Sequence, residues 1–405
     1  MINKKITIGQ PREVIFCKKC VVSNQKPNSA VEIKNNPNQL KSTQIFDEKG
    51  VCNACNYAVL RNEINWEKRE EELLTLLEKH RKSDGSFDCI VPGSGGKDSC
   101  YVSHILKYKY GMNPLTVTWA PNDFTQIGWE NFQSWLNSGF DNILLTPNRD
   151  THRKLTKYSF LNLLHPFQSF IVGQKIAAPK IAIKYKIPLI IYGENPAEYG
   201  NNIEDNYVPT MDKSYFTVQK KELENFFLAG FSKSQLIEKK ILSQKDFNFY
   251  SPIDVNEINE NNIEIHYMSY YKKWDPQENY YYAVKNCGFK PADQRTVGSY
   301  SKYSSLDDKI DMFHYYTTCI KFGIGRATYD SSQEVRNNKI NRDEAKSLVK
   351  RFDLEFPERY FSHFLDYTGI SEDVFFETVD SYRSDHLWTK KNNTWVLKKP
   401  VWEED

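Results

Sequence analysis

The sequence predicts an α/β fold built on a doubly wound parallel sheet, with a small cysteine-rich module ahead of it and a mainly helical region behind. Three observations lead there. Short apolar runs at 87–91, 115–119, 142–146 and 189–192 alternate with stretches of helical periodicity, and such alternation builds a parallel sheet with helices on both faces. A glycine-rich turn, Pro92-Gly93-Ser94-Gly95-Gly96-Lys97-Asp98-Ser99, joins the first run to the first helix of the sheet. Two C-x-x-C pairs precede both features. The boundaries drawn from these signals are 1–64 for the cysteine module, 65–200 for the sheet domain and 201–405 for the helical region, where substrate or partner is expected to bind.

Taken in order, the pairs are Cys17/Cys20 and Cys52/Cys55. Two knuckles that each turn two thiolates toward one ion make a zinc-ribbon-like four-cysteine zinc site, with disulfides or separate redox motifs as the alternatives. The segment between them, rich in Asn, Lys, Gln and Pro, reads as an extended or looping insertion. Asn65 caps a helix from Trp66 to about Arg81 whose apolar face is Trp66, Leu73, Leu74 and Leu77. The strand at 87–91 leads through the glycine turn to a helix over Cys100–Lys109, with Val102, Ile105 and Leu106 inside. A strand at 115–119, a helix from Thr125 to Asn137 ending at Gly139, and a strand at 142–146 follow. Phe167 to Tyr185 is a long helix, expected to kink at Pro179. Leu189–Tyr192 runs into Gly193-Glu194-Asn195. Beyond Tyr199 the alternation is expected to stop, with helices near 222–228 and 233–240. The aromatics of 267–282 suit either helix packing or stacking on a sugar face.

The glycine turn is a phosphate cradle by its chemistry. Glycines let the backbone approach an anion closely, and the helix start supplies unpaired N–H groups and the positive end of a dipole. Ser94 and Ser99 offer hydroxyls, Gly95 and Gly96 amides, Lys97 a cation and Asp98 a magnesium ligand. Ligands of such sheets lie at the carboxyl ends of the strands. In the PP-loop ATP pyrophosphatases, whose signature this turn resembles, the end of the second strand holds the adenine, which makes Thr118 and Trp119 candidates to line that pocket. Glu194 could assist magnesium or the reacting group, its alternative being an ordinary loop acid. Further on, Lys321-Phe322-Gly323-Ile324-Gly325-Arg326 and the later Arg336 and Arg342 suit an anion site, unless these cations are solvated or cap helices.

Formal charge is only +2 over 405 residues, so no bulk electrostatic drive toward nucleic acid or anionic membrane is expected. No run reaches the length of a membrane span, and the first residues lack the apolar stretch of a signal peptide. The expectation is a cytoplasmic protein, without membrane insertion and without a nucleic-acid partner.

Ser94-Gly95-Gly96-Lys97-Asp98-Ser99 resembles the S-G-G-x-D-S signature of the PP-loop ATP pyrophosphatases, a Rossmann-like fold that cleaves ATP between the α and β phosphates. With Cys17-Lys18-Lys19-Cys20-Val21, the stretch from Phe46 to Cys55, Gly193-Glu194-Asn195 and Lys321 through Arg342, the chain resembles the N-acetyl sugar amidotransferases of bacterial surface-polysaccharide biosynthesis. The likeness spans most of the chain, and the insertion within 21–44 departs from it. It implies ATP, Mg2+ and Zn2+ as cofactors, and Lys97, Asp98, Glu194, Lys321 and Arg326 as the catalytic set. It implies adenylation of a sugar acetamido group and its conversion to an acetamidino group by ammonia, with release of AMP and pyrophosphate, for O-antigen, capsule or nonulosonic-acid synthesis.

An ammonia source is then required. The cysteines outside the pairs, Cys89, Cys100, Cys287 and Cys319, lack the setting of a glutaminase nucleophile. The resemblance therefore implies separate partners, a glutaminase subunit and a cyclase-like ammonia-channel subunit similar to the pair of histidine biosynthesis. Two alternatives stand beside this reading. One is a PP-loop tRNA sulfurtransferase or thiolase, disfavoured by the low charge and by the want of a close cysteine pair at the phosphate loop. The other is a zinc-ribbon interaction protein whose loop has lost catalysis.

Overall fold

Strand β1 (Cys89–Pro92) runs through the middle of the sheet because both its faces are apolar, with Cys89, Ile90 and Val91 all buried. The structure, a computed structural model, describes residues 9–201 and 208–404. With β2 (Pro114–Trp119), β3 (Asn142–Leu145), β4 (Leu189–Tyr192) and β5 (Glu264–Tyr267) it forms a five-stranded sheet in the order β3-β2-β1-β4-β5. Every pairing is parallel, with Ile90 opposite Leu115 and Cys89 opposite Leu189. The predicted α/β parallel sheet is the observed one. Its order reverses between β1 and β4, and that switch point opens a crevice at the carboxyl ends of these two strands. The phosphate loop leaves β1 there and Glu194 leaves β4 beside it.

Helices cover both faces as the period-two alternation of the strands requires. α1 (Asn53–Leu60) belongs to the cysteine module, and α2 (Trp66–His80) is capped by Asn65, whose side chain accepts from Lys68 N. α3 (Lys97–His104), prolonged by a π turn over Ile105–Lys109, packs with α2 on one face against Cys89, Val91, Leu189 and Ile191. α4 (Gln126–Asn137) is capped by Thr125. α5 (Arg149–Leu163), which the sequence reading passed over, is capped by Asn148. α6 (Gln168–Tyr185) continues through Pro179 and covers Ile90, Val117 and Ile190 on the opposite face.

Three expectations are corrected here. Leu74 is 48% exposed, and Leu76 rather than Leu74 packs beside Leu73 and Leu77. Residues 222–228 form no helix but a 3-10 turn followed by a two-residue strand. The alternation does not stop at Tyr199, because after a long excursion the chain returns to the sheet as β5. That excursion is not idle: Phe216, Phe226, Phe247 and Tyr250 join the core on the α6 face.

The remainder is mainly helical, as expected: α7 (Pro276–Cys287), α8 (Asp311–Phe322), α9 (Arg326–Arg336), α10 (Arg342–Phe352), α11 (Phe361–Thr368) and α12 (Glu372–Ser381), closed by a hairpin of Trp388–Lys391 with Thr394–Leu397. Its core is aromatic. Phe313 stacks on Phe364 at 4.3 Å between centroids, and Phe160 of α5 stacks on Phe375 at 5.0 Å. One helix of the sheet layer thus anchors the carboxyl-terminal region.

A buried ion pair ties the three regions. Arg61, just past α1, lies 2.9 Å from Glu198 and also donates to Trp274 O at 3.1 Å and to Asn337 Oδ1 at 2.6 Å. Both side chains are 4% exposed, and burial pushes the Glu198 carboxyl upward against the pull of Arg61. Removing one partner strands the other charge in the interior. Arg61→Met is expected to lower unfolding free energy by about 3 kcal/mol, and Arg61→Met/Glu198→Leu to restore most of it. Chemical denaturation of the three proteins checks this, and a single variant as stable as the parent would contradict it.

Candidate functional site

The turn between β1 and α3 is shaped by three glycines in three ways. A Cβ on Gly93 would lie 2.1 Å from Ser99 Cβ, so the loop closes on itself there. Gly95 has φ +84°, and a Cβ would lie 2.7 Å from Phe132 Cα in α4. Gly96 has open space where a Cβ would stand and is the N-cap of α3, which no side chain caps. The first N–H groups of α3 therefore face outward with the positive end of the helix dipole, the arrangement that receives phosphate. Ser99 Oγ is spent inside the loop, donating to Gly96 O at 3.0 Å. Ser94 stands beside the Asp307 carboxylate and favours its charged form against the burial that pushes it up.

This turn opens into a cavity of about 610 Å3. Ser94, Gly95, Gly96, Lys97 and Asp98 form one side, and Glu194 and Tyr199 stand beside them. The Lys97 ammonium contacts the Asp98 carboxylate, which also accepts from Asn279 Nδ2 at 3.1 Å. Tyr199 OH donates to Glu194 at 2.8 Å. Burial pushes the Glu194 carboxyl up, the Asp98 charge pushes it further, and Lys97 opposes both. Two carboxylates set beside one ammonium, with the Asp98 charge pushing Glu194 up, suit a divalent cation, which would relieve their repulsion. The far wall comes from α8 and α9. Arg326 pairs with Asp330 at 3.0 Å and lies over the Tyr315 ring at 4.4 Å. Asp311, beside it, is pushed up to about 6 by burial, with Arg326 pulling the other way.

A second cavity of about 280 Å3 shares Ser94, Asp307, Asp311 and Tyr315 with the first and continues beneath the end of β2. Trp119, Phe170, Ala177 and Ala178 give it an apolar wall, a lining suited to a base. Trp119 Nε1 has no hydrogen-bond partner among the described residues, and a Cβ on Gly173 would collide with its ring at 2.1 Å.

Of the candidate site residues singled out from sequence, Ser99, Thr118, Lys321, Arg336 and Arg342 line neither cavity. Thr118 neighbours Trp119 on a strand and so faces the other side; its hydroxyl accepts from Asn142 Nδ2 at 3.0 Å. Lys321 is half-buried at the end of α8, where it donates to Leu163 O at 2.8 Å, and desolvation pulls its ammonium down to about 7. Arg336 and Arg342 also serve structure, the first donating to Glu198 O at 3.1 Å, the second to Cys17 O at 3.2 Å and Cys20 O at 3.1 Å. The sequence reading missed Tyr199, Asn279, Asp307, Asp311 and Asp330. Only Asp330 carried a signal, its i,i+4 spacing from Arg326.

The four knuckle cysteines meet. Cys17 and Cys55 Sγ are 3.9 Å apart, Cys20 and Cys52 Sγ 3.8 Å, and all four lie within 4.8 Å of one another, buried. Four thiolates on one tetrahedral ion at about 2.3 Å would stand about 3.8 Å apart, so the set fits a single metal ion. A cubane iron–sulfur cluster gives each cysteine its own iron and needs them wider. N–H groups of Lys19, Cys20 and Cys52 point at Cys17 Sγ at 3.3–3.5 Å, the donors a buried thiolate requires. The insertion between the knuckles is folded rather than loose: Pro27 bridges to Thr43, and Ile33 is fully buried in the sheet core. The other four cysteines are buried and line neither cavity. The fold does bring two of them together, with Cys287 Sγ 3.7 Å from Cys100 O, although they are remote in sequence.

Residues 297–401 match the family profile of the LPS biosynthesis protein WbpG-like C-terminal domain. This segment contains Asp307, Asp311, Tyr315, Arg326 and Asp330, the wall that faces the phosphate loop. An uncharacterized protein of Methanocaldococcus jannaschii is 36% identical over 72 residues, 18% of this chain. The match spans about a quarter of that relative, 26% of its length. Among solved structures, the U34-tRNA thiolase NcsA of Methanococcus maripaludis with its 4Fe–4S cluster aligns over 82% of this chain and 89% of its own, at 13% identity and a TM-score of 0.27. That correspondence is too loose to carry activity from one chain to the other. No helix among the described residues is long and apolar enough to cross a membrane.

Metal analysis of the freshly purified protein is expected to give one tightly bound ion per chain, and Cys52→Ser/Cys55→Ser to lose it and to unfold the module at lower temperature than the parent. Full metal content in the double variant would disprove the site.

Proposed function

We propose that the chain is an ATP-dependent amidotransferase of bacterial surface-polysaccharide synthesis, which adenylates the acetamido group of an N-acetyl sugar and replaces its oxygen with nitrogen from ammonia. The observation that carries this reading is the shared cavity: a phosphate loop forms one side, and a segment similar to a lipopolysaccharide-biosynthesis domain forms the other. A nucleotide fits with its base in the slot at Trp119 and its phosphates on the Gly95–Lys97 amides. Magnesium, held by Asp98 with Glu194 in reach, would neutralise the pyrophosphate as it leaves. Lys97 acts beside it as a fixed cation on the same charge.

An amide oxygen is a poor leaving group, and its attack on the α-phosphorus of ATP turns it into the oxygen of AMP. Ammonia then adds to the activated carbon and AMP departs. Arg326 and Asp330 present paired donors and acceptors that can orient the hydroxyls of a sugar, with Tyr315 available to pack on its apolar face. A zinc ion in the four-thiolate site would have no open position and would serve structure alone. A glutaminase and a cyclase-like channel subunit would deliver the ammonia. Sulfur transfer is less well supported, because Cys100 and Cys287 do not face the cavity and so cannot pass sulfur into it.

Incubation of the chain with ATP, Mg2+, ammonium chloride and a panel of free and nucleotide-linked diacetamido sugars is expected to give AMP in step with a sugar product lighter by about one mass unit and bearing the added positive charge of an amidine. Glutamine should not replace ammonium for the isolated chain. Lys97→Ala and Asp98→Ala are each expected to slow AMP formation by about 100-fold or more without loss of fold. Unchanged AMP formation in either folded variant, or sulfur incorporation into tRNA with no sugar product, would overturn the reading.

A further inference from the structure

Four cations line the large cavity: Lys26, Lys97, Arg326 and Lys339. Three have a carboxylate. Lys97 contacts Asp98, Arg326 pairs with Asp330, and Lys339 lies 3.4 Å from both Asp275 and Glu278. Lys26 differs. It is 5% exposed, its Nζ donates to Pro27 O at 3.3 Å, and among the described residues no carboxylate is within ion-pairing distance. A buried ammonium without a counter-charge is costly, and the interior normally supplies one.

The surroundings of Lys26 are similarly incomplete. It lies 5.9 Å from the centre of the Tyr329 ring. One turn along α9 from Tyr329, Gln333 Nε2 is buried and lacks a hydrogen-bond partner among the described residues, and so does Asn28 Oδ1 on the segment that carries Lys26. All four residues line the same cavity. The cysteine cluster supports the charge of Arg336 through Cys20, Cys55 and Cys52, and that of Lys26 through Cys52 alone.

We propose that Lys26, reaching into the cavity from the four-cysteine module, binds an anionic group of the sugar substrate, a phosphate or a carboxylate borne away from the acetamido group that reacts, with Gln333 as a second donor. This inference rests on the amidotransferase reading and deepens it: the substrate is an acidic sugar, and selection for the acid is made by the metal-binding module rather than by the phosphate loop. Burial and Arg336 pull the Lys26 ammonium down to about 8, so an arriving anion would hold its charge.

The test uses the full chain with its metal, saturated with an ATP analogue that has a methylene bridge between the α and β phosphates. Binding of N-acetylglucosamine, N-acetylglucosamine 1-phosphate and N-acetylglucosaminuronic acid is measured by calorimetry. At least one acidic sugar is expected to bind tenfold or more tightly than the neutral one, and which of the two does so separates phosphate from carboxylate. Lys26→Met should bring the three within twofold of each other, Lys26→Arg should keep the preference, and the affinity for the analogue should move less than twofold in both. If Lys26→Met fails to fold, Lys26→Gln, which keeps bulk and a donor, takes its place with the same expectation. Equal binding of all three sugars by the parent protein, or a tenfold preference that survives in a folded charge-removing variant, overturns the proposal. Loss of metal and stability in that variant with the preference intact would make Lys26 structural, and overturns it too. Sugar turnover without charge preference would remove Lys26 alone and leave the amidotransferase reading standing, whereas no binding of any sugar would remove both.

Discussion

The Arg61–Glu198 pair is the interaction on which the geometry of the cavity depends. Arg61 follows α1 of the cysteine module, Glu198 lies four residues beyond Glu194 at the end of β4, and Asn337, bonded to the same guanidinium, follows α9. Arg336 closes the set from α9 by donating to Glu198 O. Taking both charges out of water costs several kcal/mol per ion before their attraction is counted, so the pair contributes position more than stability. Hydrophobic contact alone would let the three regions slide. A guanidinium with fixed donors to a carboxylate, a carbonyl and an amide permits one arrangement.

That arrangement sets the two halves of the candidate site against each other. The sheet puts the phosphate loop and Glu194 together because its strand order reverses between β1 and β4, which no local property of either loop would achieve. The opposite wall is one face of α9, where Arg326, Tyr329, Asp330, Gln333, Glu334 and Asn337 recur at helical spacing and all line the cavity. Acids predominate around the cavity, and burial pushes Glu194, Asp307 and Asp311 toward their neutral forms. A site of this kind would tolerate phosphates only where cations or metal are concentrated.

The sheet was legible from sequence wherever a strand was buried on both faces, since an unbroken apolar run between turn signals admits few other readings. β5 escaped because a long excursion separates it from β4 and its residues, Glu264 to Tyr267, are not an apolar run. The phosphate loop was legible because its chemistry is local: glycines, one lysine and one aspartate within a single turn. The opposite wall was not, for Asp307, Asp311 and Asp330 are ordinary acids until the fold faces them inward. Lys321 and Thr118 show the converse failure. Each belongs to a segment that does approach the site, yet the helix end at Lys321 and the strand alternation at Thr118 turn the side chain away. Nearness in sequence placed the segment, and the local period decided the side chain.

The cysteine module illustrates how a metal site can be structural and still bear on chemistry. Its knuckles fix the two ends of a segment that would otherwise lose too much entropy on ordering to hold one path. Between those ends, Gln44 N donates to Lys26 O at 2.8 Å and Pro27 bridges to Thr43, which turns Lys26 to Ser29 into a short rigid ledge at the cavity. Arg342 reaches from α10 to the carbonyls of Cys17 and Cys20, so the wall formed by the carboxyl-terminal region and the ledge formed by the module share one support. A metal held at the knuckles would thus stiffen a surface of the cavity it never touches. The long insertion, which from sequence reads as a departure from compactness, is the part of the module that reaches the cavity, through Lys26 to Ser29.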